Sequence, residues 1–141
     1  MQRRSPAQKC AVALGVLLVA AGIAGFFYNG TFTSNERVHD DLLGAFSVNG
    51  WSNTLHILIG IWGLAAAPSW SGARNFGYAA GLLLVALGVW GFILGAGQSI
   101  LSIVPVNAAV DSARLVLGVI AVLSAVATSP EPAPSTVRGA G

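Results

Sequence analysis

Charge is what this chain has least of. Only 9% of its 141 residues are Asp, Glu, Lys or Arg, against 55% hydrophobic residues, where a soluble domain carries roughly a quarter charged. Mean hydropathy is +0.74, which excludes an ordinary water-soluble domain. Lysine occurs once, as Lys9, and the net charge is +2. The pI of about 9.2 therefore reflects few acids rather than a basic surface. Nucleic acid is excluded as a partner, because its recognition needs clustered Lys and Arg. Cysteine also occurs once. Cys10 alone makes no internal disulfide and no cysteine-cluster metal site, and beside Lys9 it reads as a membrane-edge residue. The chain has no nucleophile–base arrangement, no phosphate-cradling loop and no paired acids within one span. Neither an enzyme nor a cofactor is expected.

What the chain has is long apolar runs. Crossing the hydrocarbon takes about 20 mostly apolar residues, and four stretches qualify: 10–28, 51–67, 76–97 and 108–128. Each must be a helix, since lipid offers the backbone no hydrogen-bond partners. The first run is longer than the ~7–15 residues of a secretory signal core and reads as a retained span. Residues 1–9 and the Pro-rich segment 129–141 flank the four-span domain, and the latter reads as a disordered cytoplasmic tail.

Positive charge sets the orientation. Arg3, Arg4, Lys9, Arg74 and Arg138 fall in the flanks and the second loop, whereas Arg37 alone falls in the first loop and none in the third. Cytoplasmic segments keep the Lys and Arg excess, so both termini are expected in the cytoplasm, in a plasma-membrane protein. The first loop is the only long one. It opens with Asn29-Gly30, read as a turn rather than a glycosylation sequon, and "DDLLGAF" is expected to form a short interfacial helix capped by Asp40 or Asp41.

The chain also repeats itself. With an offset of 66, Gly15, Gly22 and Gly25 fall on Gly81, Gly88 and Gly91. With an offset of 58, Asn53 falls on Asp111, His56 on Arg114 and Gly60 on Gly118. The expected fold is thus all-α: an integral membrane four-helix bundle made of two related helical hairpins, a parallel internal repeat. Small residues let membrane helices approach closely. Gly15, Gly22, Gly25, Gly60, Gly81, Gly88, Gly95 and Gly118 are accordingly expected at helix contacts.

Four polar residues stand out within the spans. Asn53 and His56 are three apart, as are Asp111 and Arg114, so each pair shares a helix face. The repeat axis would bring the faces together as one cluster. Burial without partners is costly, so Asp111 and Arg114 are expected to pair, with Asn53 and His56 completing the hydrogen bonds. The sharper alternative is a proton or ligand site, because His titrates near neutrality and intramembrane ionisable residues often mark function. A metal site would need His39, Asp40 or Asp41 to fold over His56, and no ligand spacing supports that.

At these residues the chain resembles a family. "LLGAFSVNGWSNTLHILIGIWGLAAA", "SGAR" and "VPVN" are similar to the four-helix membrane proteins of domain of unknown function 4383, found mostly in actinobacteria, over about residues 8–128. The resemblance implies a bacterial plasma-membrane protein and supplies no activity. The family often carries an Asn-x-x-His-like pattern on its last helix, where this chain has Asp111 and Arg114. The expected function is a non-enzymatic structural or accessory membrane component, partnered by the bilayer and by copies of itself or another membrane protein. The alternative is a small transporter or proton-linked permease that uses the polar cluster.

Overall fold

The computed structural model describes residues 4–32 and 40–130. Among them are four helices: α1 (Pro6–Tyr28), α2 (Gly50–Ala66), α3 (Trp70–Leu94) and α4 (Ala108–Val126). Residues 131–141 of the expected tail, Arg138 among them, and residues Glu36, Arg37 and His39 lie outside the described residues.

Each helix starts where a side chain can satisfy its first free N–H groups. Ser5 caps α1 in a reciprocal pair with Gln8, and Pro6 occupies the first helical position, where its missing N–H costs nothing. Asn49 caps α2 in the same reciprocal way with Ser52. Ser69 caps α3 and Asn107 caps α4. These caps explain why α1 and α3 begin earlier than their apolar runs. Arg74, expected in a loop, is consequently inside α3, where its Nε donates to the Ala125 carbonyl at 3.3 Å.

The connection before α2 departs from expectation. The "DDLLGAF" segment forms no helix. It forms an antiparallel hairpin, β1 (Asp40–Leu42) with β2 (Phe46–Val48). The cause lies in the turn: Leu43 (φ 57°) and Gly44 (φ 69°) are both left-handed, and the Ala45 amide donates back to the Leu42 carbonyl. Two left-handed central residues match the twist of paired strands and cannot sit in a right-handed helix. A second hairpin precedes α4, β3 (Ser99–Ile100) with β4 (Val104–Pro105), turning through left-handed Leu101 and Ser102. Both hairpins lead directly into an asparagine cap. Asn29 behaves as expected of a turn residue: its side chain accepts from the backbone N–H and hydroxyl of Thr31.

α1 packs chiefly on α2, and α3 on α4. The glycines make this possible. A Cβ added at Gly15 would lie 2.9 Å from the Gly60 carbonyl, and one at Gly60 2.8 Å from the Gly15 carbonyl. A Cβ at Gly81 would lie 2.8 Å from the Gly118 carbonyl, and one at Gly118 2.7 Å from the Gly81 carbonyl. Gly22 sits against the Asn53 carbonyl and Gly88 against the Asp111 carbonyl. Backbone meets backbone at all six, as helix association in lipid favours. Gly95 is the exception and corrects its assignment to a helix contact. It is the C-cap of α3 at φ 87°, and an added Cβ would meet nothing. Its role is to end the helix in a backbone conformation that a side chain disfavours.

Small residues and a few large ones form the core, with Ala11, Leu14, Leu18, Ile59, Phe76 and Leu84 buried together. Trp62 meets Phe76 edge to face at 5.1 Å. The end of the bundle that carries the chain termini is clasped by hydrogen bonds. Thr128 Oγ1 accepts from the Ala7 N–H at 2.9 Å, and Gln8 Nε2 donates to the carbonyls of Ala67 and Pro68. Three helices, α1, α3 and α4, are long and apolar enough to cross a membrane. With 17 residues, α2 reaches about 25 Å at ~1.5 Å per residue and is the short member.

Candidate functional site

The polar residues of the spans lie at the end of the bundle opposite the clasp, near the starts of α2 and α4. Asn53 is four residues into α2 from its cap and fully buried at 0% exposure. Its Nδ2 donates to the Asn29 carbonyl at 2.8 Å. Its Oδ1 has no hydrogen-bond partner and lies against Gly25 of α1, where a Cβ would collide with it. The amide therefore ties the top of α1 to α2 through one hydrogen bond and one close contact to a glycine backbone.

Asp111 holds the equivalent place on α4, four residues from Asn107, and is 1% exposed. Its carboxylate lies against Gly91 of α3, again where a Cβ would collide. Here the charge is matched. Arg114 Nη1 donates to Asp111 Oδ1 at 2.8 Å, and Nη2 donates to the Pro105 carbonyl at 3.3 Å. Asp111 also sits in the first turn of α4, where the helix dipole favours a negative charge. Arg114 is 4% exposed, so this ion pair is buried within the protein.

The four residues do not form one hydrogen-bonded network. Asn53 bonds to the end of α1 and not to Asp111, because Gly25 and Gly91 each open a separate seat. What the fold brings together is His56 and Arg114. Both line a cavity of about 590 Å³ walled by α1, α4 and the β1–β2 hairpin. Among the described residues His56 makes no hydrogen bond.

Several site residues escaped the sequence reading. In the sequence Gly91 stands out only as the repeat partner of Gly25, not as the seat of a carboxylate. Asn107 bridges hairpin to helix, its Nδ2 donating to the Ala45 carbonyl and to Ser47 Oγ, while Asn49 Nδ2 donates to the Ile103 carbonyl. These two asparagines stitch the end of the bundle across the hairpins. The signal available for them was their position just before each span, where a capping asparagine is favoured. Among the described residues no group of three or more His, Cys, Asp or Glu side chains comes together.

A bundle of apolar helices joined through glycine seats, three of them long and apolar enough to cross a membrane, with a handful of polar residues gathered at one end, has the make-up of a small helical membrane protein. Residues 8–127 match the family described as "Domain of unknown function (DUF4383)", and the chain belongs to that family. No curated protein matches the chain, and no solved structure does.

Proposed function

We propose that this chain is a non-enzymatic accessory component of the plasma membrane, with both termini in the cytoplasm, built from two helical hairpins related by duplication. The duplication is supported by the contacts. Gly15–Gly60 and Gly81–Gly118 are reciprocal backbone approaches, and Asn53 on Gly25 corresponds to Asp111 on Gly91. The same offset of 58 relates the turn Leu42–Ala45 to the turn at 100–103 and the cap Asn49 to the cap Asn107.

One observation carries the functional reading. Asp111 and Arg114, at the polar end of the bundle, neutralise each other within the chain as a buried pair. A buried, mutually neutralised pair serves packing, whereas an uncompensated charge open to water would serve transfer. Purified protein in liposomes should show no proton flux above that of empty liposomes. Flux that His56→Ala abolishes would instead establish the permease reading, which the position of His56 on a cavity favours. Orientation is tested by labelling. A cysteine placed at Asp40 should react with an impermeant reagent in intact cells, and one at Arg74 should not, both in a Cys10→Ala background; the reverse pattern would invert the topology.

A further inference from the structure

The cavity shared by His56 and Arg114 is shaped by missing methyl groups. Ala21 on α1 and Ala113 on α4 are among its walls. At the corresponding positions, 66 residues after Ala21 and 58 before Ala113, stand Leu87 and Leu55. The hollow thus exists where this face of the bundle carries alanine and the other carries leucine. Its volume of about 590 Å³ lies within the ~300–1,000 Å³ usual for small-molecule sites. Twelve of its sixteen lining residues are apolar. Leu17 and Val116, on the two flanking helices, are about half exposed (48% and 58%), so the mouth opens sideways toward lipid.

The polar groups in the wall narrow what can fit. Arg114 offers only donors, and two of the five guanidinium N–H groups are used by Asp111 and Pro105. His56, which makes no hydrogen bond among the described residues, can also donate. A ligand group that meets Arg114 must therefore be an acceptor, and the His56 ring and the Ser112 hydroxyl, each able to donate, suit acceptors as well. The ligand should carry no charge, because the Arg114 charge is already balanced by Asp111 and a further anion would be desolvated without a counter-charge. We propose that this cavity binds an uncharged, carbonyl-bearing amphiphile of the bilayer, of the alkyl-quinone class. Its carbonyl oxygens face His56 and Arg114, and its chain lies between α1 and α4. The site goes beyond the accessory role and does not require transport.

The full chain in lipid nanodiscs is titrated with decylubiquinone, with empty nanodiscs as background, and with dodecane and decanoate as competitors. Saturable binding of one quinone per chain is expected, displaced weakly by either competitor. Ala21→Leu with Ala113→Leu, which copies the residues at the corresponding positions, should weaken binding more than tenfold while the unfolding midpoint holds. His56→Leu should weaken it about tenfold, the scale of one lost hydrogen bond. Should the double leucine variant misfold, the His56→Leu arm decides alone. Unchanged affinity in His56→Leu, dodecane competing as well as the quinone, decanoate binding more tightly, or no saturable binding at all would each overturn the assignment. Flux assays on the same preparation separate this outcome from that of the accessory reading.

Discussion

The α1–α2 and α3–α4 hairpins solve one packing problem with different chemistry. Both bring two helices together over paired glycines, and both seat a polar side chain on a glycine near the end of the contact. In the first hairpin the seated group is the Asn53 amide, with one oxygen unpartnered. In the second it is the Asp111 carboxylate, held by Arg114. The amide needs a single backbone carbonyl and tolerates an incomplete set of bonds. The carboxylate needs a full counter-charge, and that cation must itself be satisfied by Pro105. The second hairpin is therefore more brittle toward loss of one residue, though not toward exchange of the pair.

The glycine contact they share gives the largest expected effect. Gly81→Leu would drive a branched side chain into the Gly118 carbonyl and Val122. We expect loss of the folded, detergent-stable protein, read as disappearance of the monodisperse peak on gel filtration. Gly15→Leu should do the same to the first hairpin.

Arg114→Leu comes next. It leaves Asp111 buried and uncompensated, and breaking a buried pair costs about 3–5 kcal/mol. Chemical denaturation in micelles should show this loss. Asp111→Leu with Arg114→Leu should cost less than the two single losses added, and strict additivity would mean that the two side chains do not interact. The exchange Asp111→Asn with Arg114→His rewrites the second hairpin as a copy of the first. It should cost about 1 kcal/mol, the scale of a neutral hydrogen bond. A loss as large as that of Arg114→Leu would show that the hairpins are not interchangeable.

A finer contrast lies in the seats. Gly91→Ala presses a methyl on a carboxylate fixed by Arg114, and overpacking of this kind costs about 1–3 kcal/mol. Gly25→Ala meets the Asn53 amide, which is tethered by one hydrogen bond and can turn aside, so its cost should be the smaller of the two. The smallest effect is expected at Leu82, 59% exposed on the outer face of α3. Leu82→Ile should leave the denaturation midpoint unchanged within about 0.5 kcal/mol.

Much of this was legible in the sequence because burial in lipid is a severe constraint. Four apolar runs with punctuating Asn, Gly and Pro announce four helices. The spacing of Asp111 and Arg114 announces a pair, since nothing else on that helix could satisfy either. The glycine register at Gly15, Gly22, Gly81 and Gly88 announces close approach. The hairpins were not legible. Their turns place Leu43, Leu101 and Ser102 in left-handed backbone, conformations that those residue types do not advertise, and no Asn-Gly or Asp-Gly pair marks the reversal. The separation of Asn53 from Asp111 was hidden too, since it depends on which helix lies opposite each residue. Gly95 fell in heptad spacing with Gly81 and Gly88 yet lies past the last turn of α3. The cavity depends on two alanines more than ninety residues apart in the chain, which local periodicity cannot register.

The clasp at the terminal end bears on how the bundle can move. There, Thr128 joins the end of α4 to the start of α1, and Gln8 joins α1 to the end of α2, both through backbone groups, while nearer the far end the space between α1 and α4 is hollow. The two pairs of helices are thus fastened at both ends, by Thr128 at the clasp and by Asn49 and Asn107 across the hairpins, with the hollow lying between the fastenings. Cutting the fastening with Thr128→Val should loosen amide protection first at the beginning of α1, and only afterwards in the glycine-packed interiors, which exchange with the global unfolding of each pair.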